Sequence, residues 1–107
     1  MLTDIEQVKI LFQELRRILE KENENETMYI IHQLNSGLRL IDENINNNHD
    51  YNEYKLLFNK LEGIYININQ PRVGLADYFI WKEHYEERLI VNKDLDTIKE
   101  NLTLIFK

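Results

Sequence analysis

Apolar residues return every three or four positions along four stretches of this chain, and that spacing restricts what it can fold into. Ile5, Val8, Phe12, Leu15 and Leu19 form the first stripe, widened by Leu11 and Ile18. A helix turns by about 100° per residue, so positions spaced this way share one face, whereas a half-buried strand needs strict alternation. Met28, Ile31, Leu34, Leu38, Ile41 and Ile45 form the second stripe. Tyr54, Leu57, Phe58, Leu61 and Ile64 form the third, and Leu95, Ile98, Leu102 and Ile105 the last. Only 3 Gly and 1 Pro interrupt 107 residues, which favours long elements over a turn-rich β fold.

Local signals set the expected boundaries. Thr3-Asp4-Ile5-Glu6 reads as a capping box, in which the Thr and Glu side chains satisfy each other's free backbone amides. The first helix is therefore expected from about Asp4 to Glu22. Asn25 is expected to cap a second helix from about Glu26 to Ile45, ended by Asn46-Asn47-Asn48 because Asn tolerates the left-handed conformation. Gly37 weakens that helix by about 1 kcal/mol relative to Ala and is expected to let a neighbouring helix approach. Asp50 opens a third helix as its cap. The tail from Ile64 to Asn69 alternates like a strand, but a lone strand has no edge to pair with. The helix is therefore expected to run to about Ile66, followed by irregular chain through Pro71 and Gly74 to about Trp81. A short helix over Lys82–Val91 is expected to turn Tyr85 and Leu89 inward, with Asn92 capping a last helix to Phe106.

Four such stripes bury one another most simply as an all-α antiparallel bundle of about four helices. One domain over 1–107 is expected, with an irregular aromatic-rich connection before the last helices. In up-down order, the acidic turn holding Glu20, Glu22, Glu24 and Glu26 falls at the same end as the segment from Pro71 to Trp81.

Composition narrows the chemistry. Lys and Arg total 13 against 19 Asp and Glu, a net charge of −6. A chain so charged repels phosphate, so nucleic acid is not an expected ligand, while a basic protein would be steered toward it. The same balance also serves solubility alone. Frequent Ile and Asn fit an AT-rich coding sequence, as in a low-GC bacterium or its phage. No Cys is present, so neither disulfides nor thiol chemistry are expected. Asp4, Glu6, Lys9, Glu14, Arg16 and Arg17 are incompatible with a signal peptide or a membrane span over the first twenty residues, so the cytoplasm is expected.

Catalytic signatures are not found. His32, His49 and His84 include no pair at helical ligand spacing, and His84 with Glu87 makes only half a metal site. Ser36, the only serine, lies between Asn35 and Gly37 in mid-helix, where it reads as a small packing residue and not as a nucleophile elbow. Three scattered glycines make no phosphate loop, and no two carboxylates are marked as an acid–base pair. The expectation is a binding protein with no catalytic residue, cofactor or metal, and with its oligomeric state left open.

The most informative feature is an aromatic cluster. Tyr78, Phe79, Trp81 and Tyr85 fall close together among Asp77, Glu83, Glu86 and Glu87. In one reading Phe79 and Trp81 plug the end of the bundle. In the other, Asp77, Tyr78, Trp81, Glu83, Tyr85, Glu86 and Glu87 form a partner-binding surface, since Tyr and Trp dominate binding hot spots and acids suit a basic partner.

The run Gly74-Leu75-Ala76-Asp77-Tyr78-Phe79-Ile80-Trp81, followed by Glu86-Glu87-Arg88, Asn92, Leu95 and Ile98, resembles a group of small bacterial immunity proteins of polymorphic or contact-dependent toxin systems. The likeness covers the last third of the chain. Val73 and Ala76 depart from the glycine and serine that the group more often carries there. The resemblance implies a cytoplasmic inhibitor that binds a cognate toxin domain, with no catalytic residue to carry over. The alternative is a small helical adaptor or regulatory protein that binds a host or phage protein.

Overall fold

The computed structural model describes residues 2–22, 24–44, 51–69, 78 and 80–106. Four α-helices account for most of them: α1 (Leu2–Glu22), α2 (Met28–Asn44), α3 (Tyr51–Ile68) and α4 (Tyr85–Phe106). A 3-10 turn, Asn25–Thr27, leads into α2. No strand occurs among the described residues, so the ambiguous tail after Ile64 is helical.

The helices pair in chain order and antiparallel. Lys9 Nζ lies 3.2 Å from an Asp42 carboxylate oxygen, and Arg16 donates to Asn35 Oδ1 at 2.9 Å. As position rises along α1 it falls along α2. Between α3 and α4, Tyr65 lies beside Thr103 and Phe58 beside Phe106, which gives the same sense. α1 packs on α2 and α4, and α2 on α3, while α3 meets α4 mainly near the C-terminal end of α4. There the Phe106 ring lies 5.1 Å from Phe58 and 5.2 Å from Tyr65. Thr103 gives its own proton to the Lys99 carbonyl, so the Tyr65 hydroxyl donates to Thr103 at 2.8 Å.

The core follows the stripes. Ile5, Val8, Leu11, Phe12, Leu15 and Leu19 are buried on α1, and Ile31, Leu34, Leu38 and Ile41 on α2. Leu57, Leu61 and Ile64 face inward from α3, and Leu95, Ile98 and Leu102 from α4, with Phe106 buried and Ile105 partly so. Gly37 admits a neighbour as expected: a Cβ there would stand 2.7 Å from Phe12 Cε2, so the aromatic ring of α1 occupies the space a side chain would take.

Several boundaries differ from expectation, each for a local reason. α1 has begun by Leu2, so Thr3 lies within the first turn and is not its cap; Asp4 still places an acid in that turn, where the helix dipole favours it. Asn25 does not cap α2. Thr27 instead closes the 3-10 turn that precedes it, its buried hydroxyl and its amide both donating to the Glu24 carbonyl, at 2.9 and 3.2 Å. Met28 is 45% exposed because six residues separate it from Leu34, a rotation of roughly 120° off the stripe, and Ile30 fills the core instead. Ser36 is exposed, its hydroxyl turned back onto the His32 carbonyl, and so is not a packing residue. α3 runs two residues beyond Ile66 to bury Ile68, and the Asn69 amide closes its last turn on the Tyr65 and Ile66 carbonyls. Ile45, the Asn46–Asn48 stop, Asp50, Pro71 and Gly74 lie outside the described residues.

Candidate functional site

Just before α4 one side chain grips the backbone at Ile80. Asn92, 7% exposed, accepts from the Ile80 amide at 2.9 Å and donates to the Ile80 carbonyl at 2.7 Å and the Arg88 carbonyl at 2.9 Å. Both amide protons and the amide oxygen are used, so only one orientation of the group fits. Asn92 is therefore not a helix cap, and there is no separate short helix over Lys82–Val91; α4 is continuous from Tyr85 to Phe106. Its first turn closes through the Arg88 amide onto the His84 carbonyl at 3.0 Å.

Pinning Ile80 decides what its neighbours do. Ile80 is fully buried and stops the end of the core, and Trp81 after it faces out of that core. Trp81 is accordingly 67% exposed and does not plug the bundle; Phe79 lies outside the described residues. Tyr85 and Leu89 are 63% and 52% exposed, contrary to the inward placement expected from a separate short helix. Once α4 is one helix in phase with Leu95 and Ile98, both positions rotate outward.

The acidic turn and the crossing segment meet, as up-down order requires. The Tyr78 hydroxyl donates to Glu24 at 3.2 Å, and Lys82 Nζ lies 2.7 Å from Glu22, whose side chain is only 7% exposed. A carboxylate that deep in the protein needs its cation, so Lys82 ties the crossing segment to the end of α1. Above these braces the Arg88 guanidinium carbon lies 4.3 Å from the Trp81 ring centre and 5.4 Å from that of Tyr85. The cation is attracted to both ring faces and holds them beside each other.

Six of the seven sequence-predicted site residues can thus be placed; Asp77 lies outside the described residues. Trp81, Tyr85, Glu83, Glu86 and Glu87 are exposed around the start of α4, and Tyr78 is half-buried and acts as a brace to Glu24. Arg88, over both rings, and Leu89, one turn after Tyr85 and 52% exposed, belong to the same surface and carried no such assignment from sequence. Their signal was the spacing of Asn92 from Leu95, which continues one helical stripe and sets the phase of everything before it.

Nothing nearby is arranged for metal binding: no three His, Asp or Glu side chains converge among the described residues. Every buried side-chain nitrogen or oxygen among them has a partner. The groove between α1 and α4 is lined by Gln7, Ile10, Leu11, Asn101, Leu104 and Ile105, apolar groups and two amides. No described helix is long and apolar enough to cross a membrane.

Fold and surface together define a small antiparallel helical bundle that exposes aromatic and acidic side chains around the start of its last helix. Comparison of the chain with protein-family models, with curated proteins and with solved structures gives no match.

Proposed function

We propose that this protein is a cytoplasmic binding protein that neutralises a cognate bacterial toxin domain by direct association, through the surface of Trp81, Tyr85, Glu83, Glu86 and Glu87. The observation that carries the reading is the exposure of Trp81 and Tyr85, 67% and 63%, beside a core that is complete without them. Large rigid rings left in water cost solubility and gain contact area in a complex, where Trp and Tyr contribute most. Exposed Glu83, Glu86 and Glu87 at the start of α4, and a net charge of −6, favour a basic partner by raising the rate of encounter. Blocking a toxin requires a stable scaffold and a complementary face, with no reactive group of its own, and the likeness of the Gly74–Trp81 run to immunity proteins points the same way.

The test is capture from the native host with the wild-type chain and with a Trp81→Ala, Glu87→Lys variant. The wild type should retain one basic protein that arrests growth when expressed alone and not when expressed with this chain. The variant should lose that protein while keeping its helical content and melting temperature. Retention of a widely distributed host protein with no toxicity would sink the toxin reading and favour the adaptor alternative. Equal capture by the variant would remove this surface.

A further inference from the structure

The outward face of α3 is built like one half of an antiparallel helix pair. Leu56, Asn59, Gly63 and Ile66 follow at spacings of three, four and three, which is the seam spacing of a two-stranded coiled coil, and all four are exposed. This is the face opposite to Leu57, Leu61, Ile64 and Ile68, which bury the helix in its own bundle. Leu56 and Ile66 are 60% and 58% exposed. Gly63 weakens the helix, yet a Cβ at that position would meet nothing within 4 Å among the described residues, so no packing among them accounts for it. A glycine in an outward seam lets a second helix come close.

The flanking charges choose the occupant and its direction. Lys55 and Glu62 lie on one side of the seam, seven residues apart, and Glu53 and Lys60 lie on the other with the signs reversed. In an antiparallel pair related by a two-fold axis, residues on the same flank meet. Lys55 then faces the partner's Glu62 and Glu62 the partner's Lys55, and the other flank is matched as well. In a parallel pair Lys55 would instead face the partner's Lys60, and like charges would repel. The pattern thus complements an inverted copy of itself and opposes the parallel alternative.

We propose that the outer face of α3 docks a second copy of this chain, antiparallel, across Leu56, Asn59 and Gly63. Polar Asn59 in the seam favours register over strength, and the small face places the pair among weak, concentration-dependent interfaces. The surface lies on α3, whereas Trp81 and Tyr85 lie just before and at the start of α4, so the dimer stands or falls independently of the toxin-binding reading.

Sedimentation of the full chain from micromolar to millimolar concentration tests this. The wild type should rise with concentration from its monomer mass of 13.0 kDa toward twice that value. Lys55→Glu alone and Glu62→Lys alone should each weaken association about tenfold, because symmetry turns two attractive pairs into two repulsive ones. An equimolar mixture of the two variants should regain it, as should the double variant Lys55→Glu, Glu62→Lys, since each restores opposite charges across an antiparallel seam. Both positions lie on the outward side of α3, and far-UV circular dichroism checks that each variant is folded. A wild type that stays monomeric, single variants that associate as it does, or a mixture that fails to recover would each overturn the proposal.

Discussion

Two glycines in similar helical settings have opposite roles, and the difference lies in what a methyl group would touch. At Gly37 a Cβ would meet Phe12 at 2.7 and 3.0 Å, on a ring that is itself fully buried and has nowhere to go. Gly37→Ala is expected to destabilise by about 1–3 kcal/mol, because overpacking outweighs the gain in helix propensity. At Gly63 no described atom lies within 4 Å of such a Cβ, so Gly63→Ala should stabilise the monomer by about 0.5–1 kcal/mol. Urea unfolding of the two variants at low concentration checks the pair of signs. Tyr54 offers a test by pH. Burial, and secondly the Asp4 carboxylate, raise its phenol above the ordinary 10.0. As pH rises through that value the unfolded chain ionises first, so this residue's contribution is intact below it and is lost above it. The stability of Tyr54→Phe should therefore fall less steeply than that of the wild type above pH 10.0, measured by denaturant midpoints.

At the scale of elements, α4 is where local signals misled. Asn92 has the chemistry of a cap, and read alone it divides the segment in two. Its position three residues before Leu95 says otherwise, because the amide then points inward with the stripe and meets the Ile80 backbone. Asn92→Ala should cost about 1–3 kcal/mol, since the Ile80 amide and carbonyl would be left buried without partners. Trp81 is the only tryptophan, so its fluorescence anisotropy should drop in the variant as the crossing segment loosens, while α1 to α3 keep their helical signal. Unchanged anisotropy would mean that Lys82 and Tyr78, through Glu22 and Glu24, suffice to hold the segment.

For the molecule as a whole, burial separates what maintains the fold from what is offered to a partner. Leu34, on α2, is fully buried in the core, and Leu34→Ala should destabilise by about 2–5 kcal/mol. Trp81 is larger, but at 67% exposure Trp81→Ala should cost less than about 0.5–1 kcal/mol, including its contact with Arg88. Thermal melts of the two variants would rank them in that order. A reversed ranking would place Trp81 in the core and remove the reason for regarding its surface as a binding face.

The first three helices, the later part of α4, the antiparallel order and most of the core were legible along the chain. A stripe of Ile, Leu, Val and Phe at helical spacing has one way to leave water, and short connections leave adjacent helices one relative direction. The meeting of the acidic turn with the segment around Tyr78 followed from that order alone. What the chain did not disclose was which of the aromatic residues turn outward. Trp81 is exposed and Ile80 buried where an amide twelve positions after Ile80 grips its backbone N–H and carbonyl, and Tyr85 follows the phase of the continuous helix that carries that amide. Such a decision rests on contacts between positions remote in sequence, and only the packed structure brings them together.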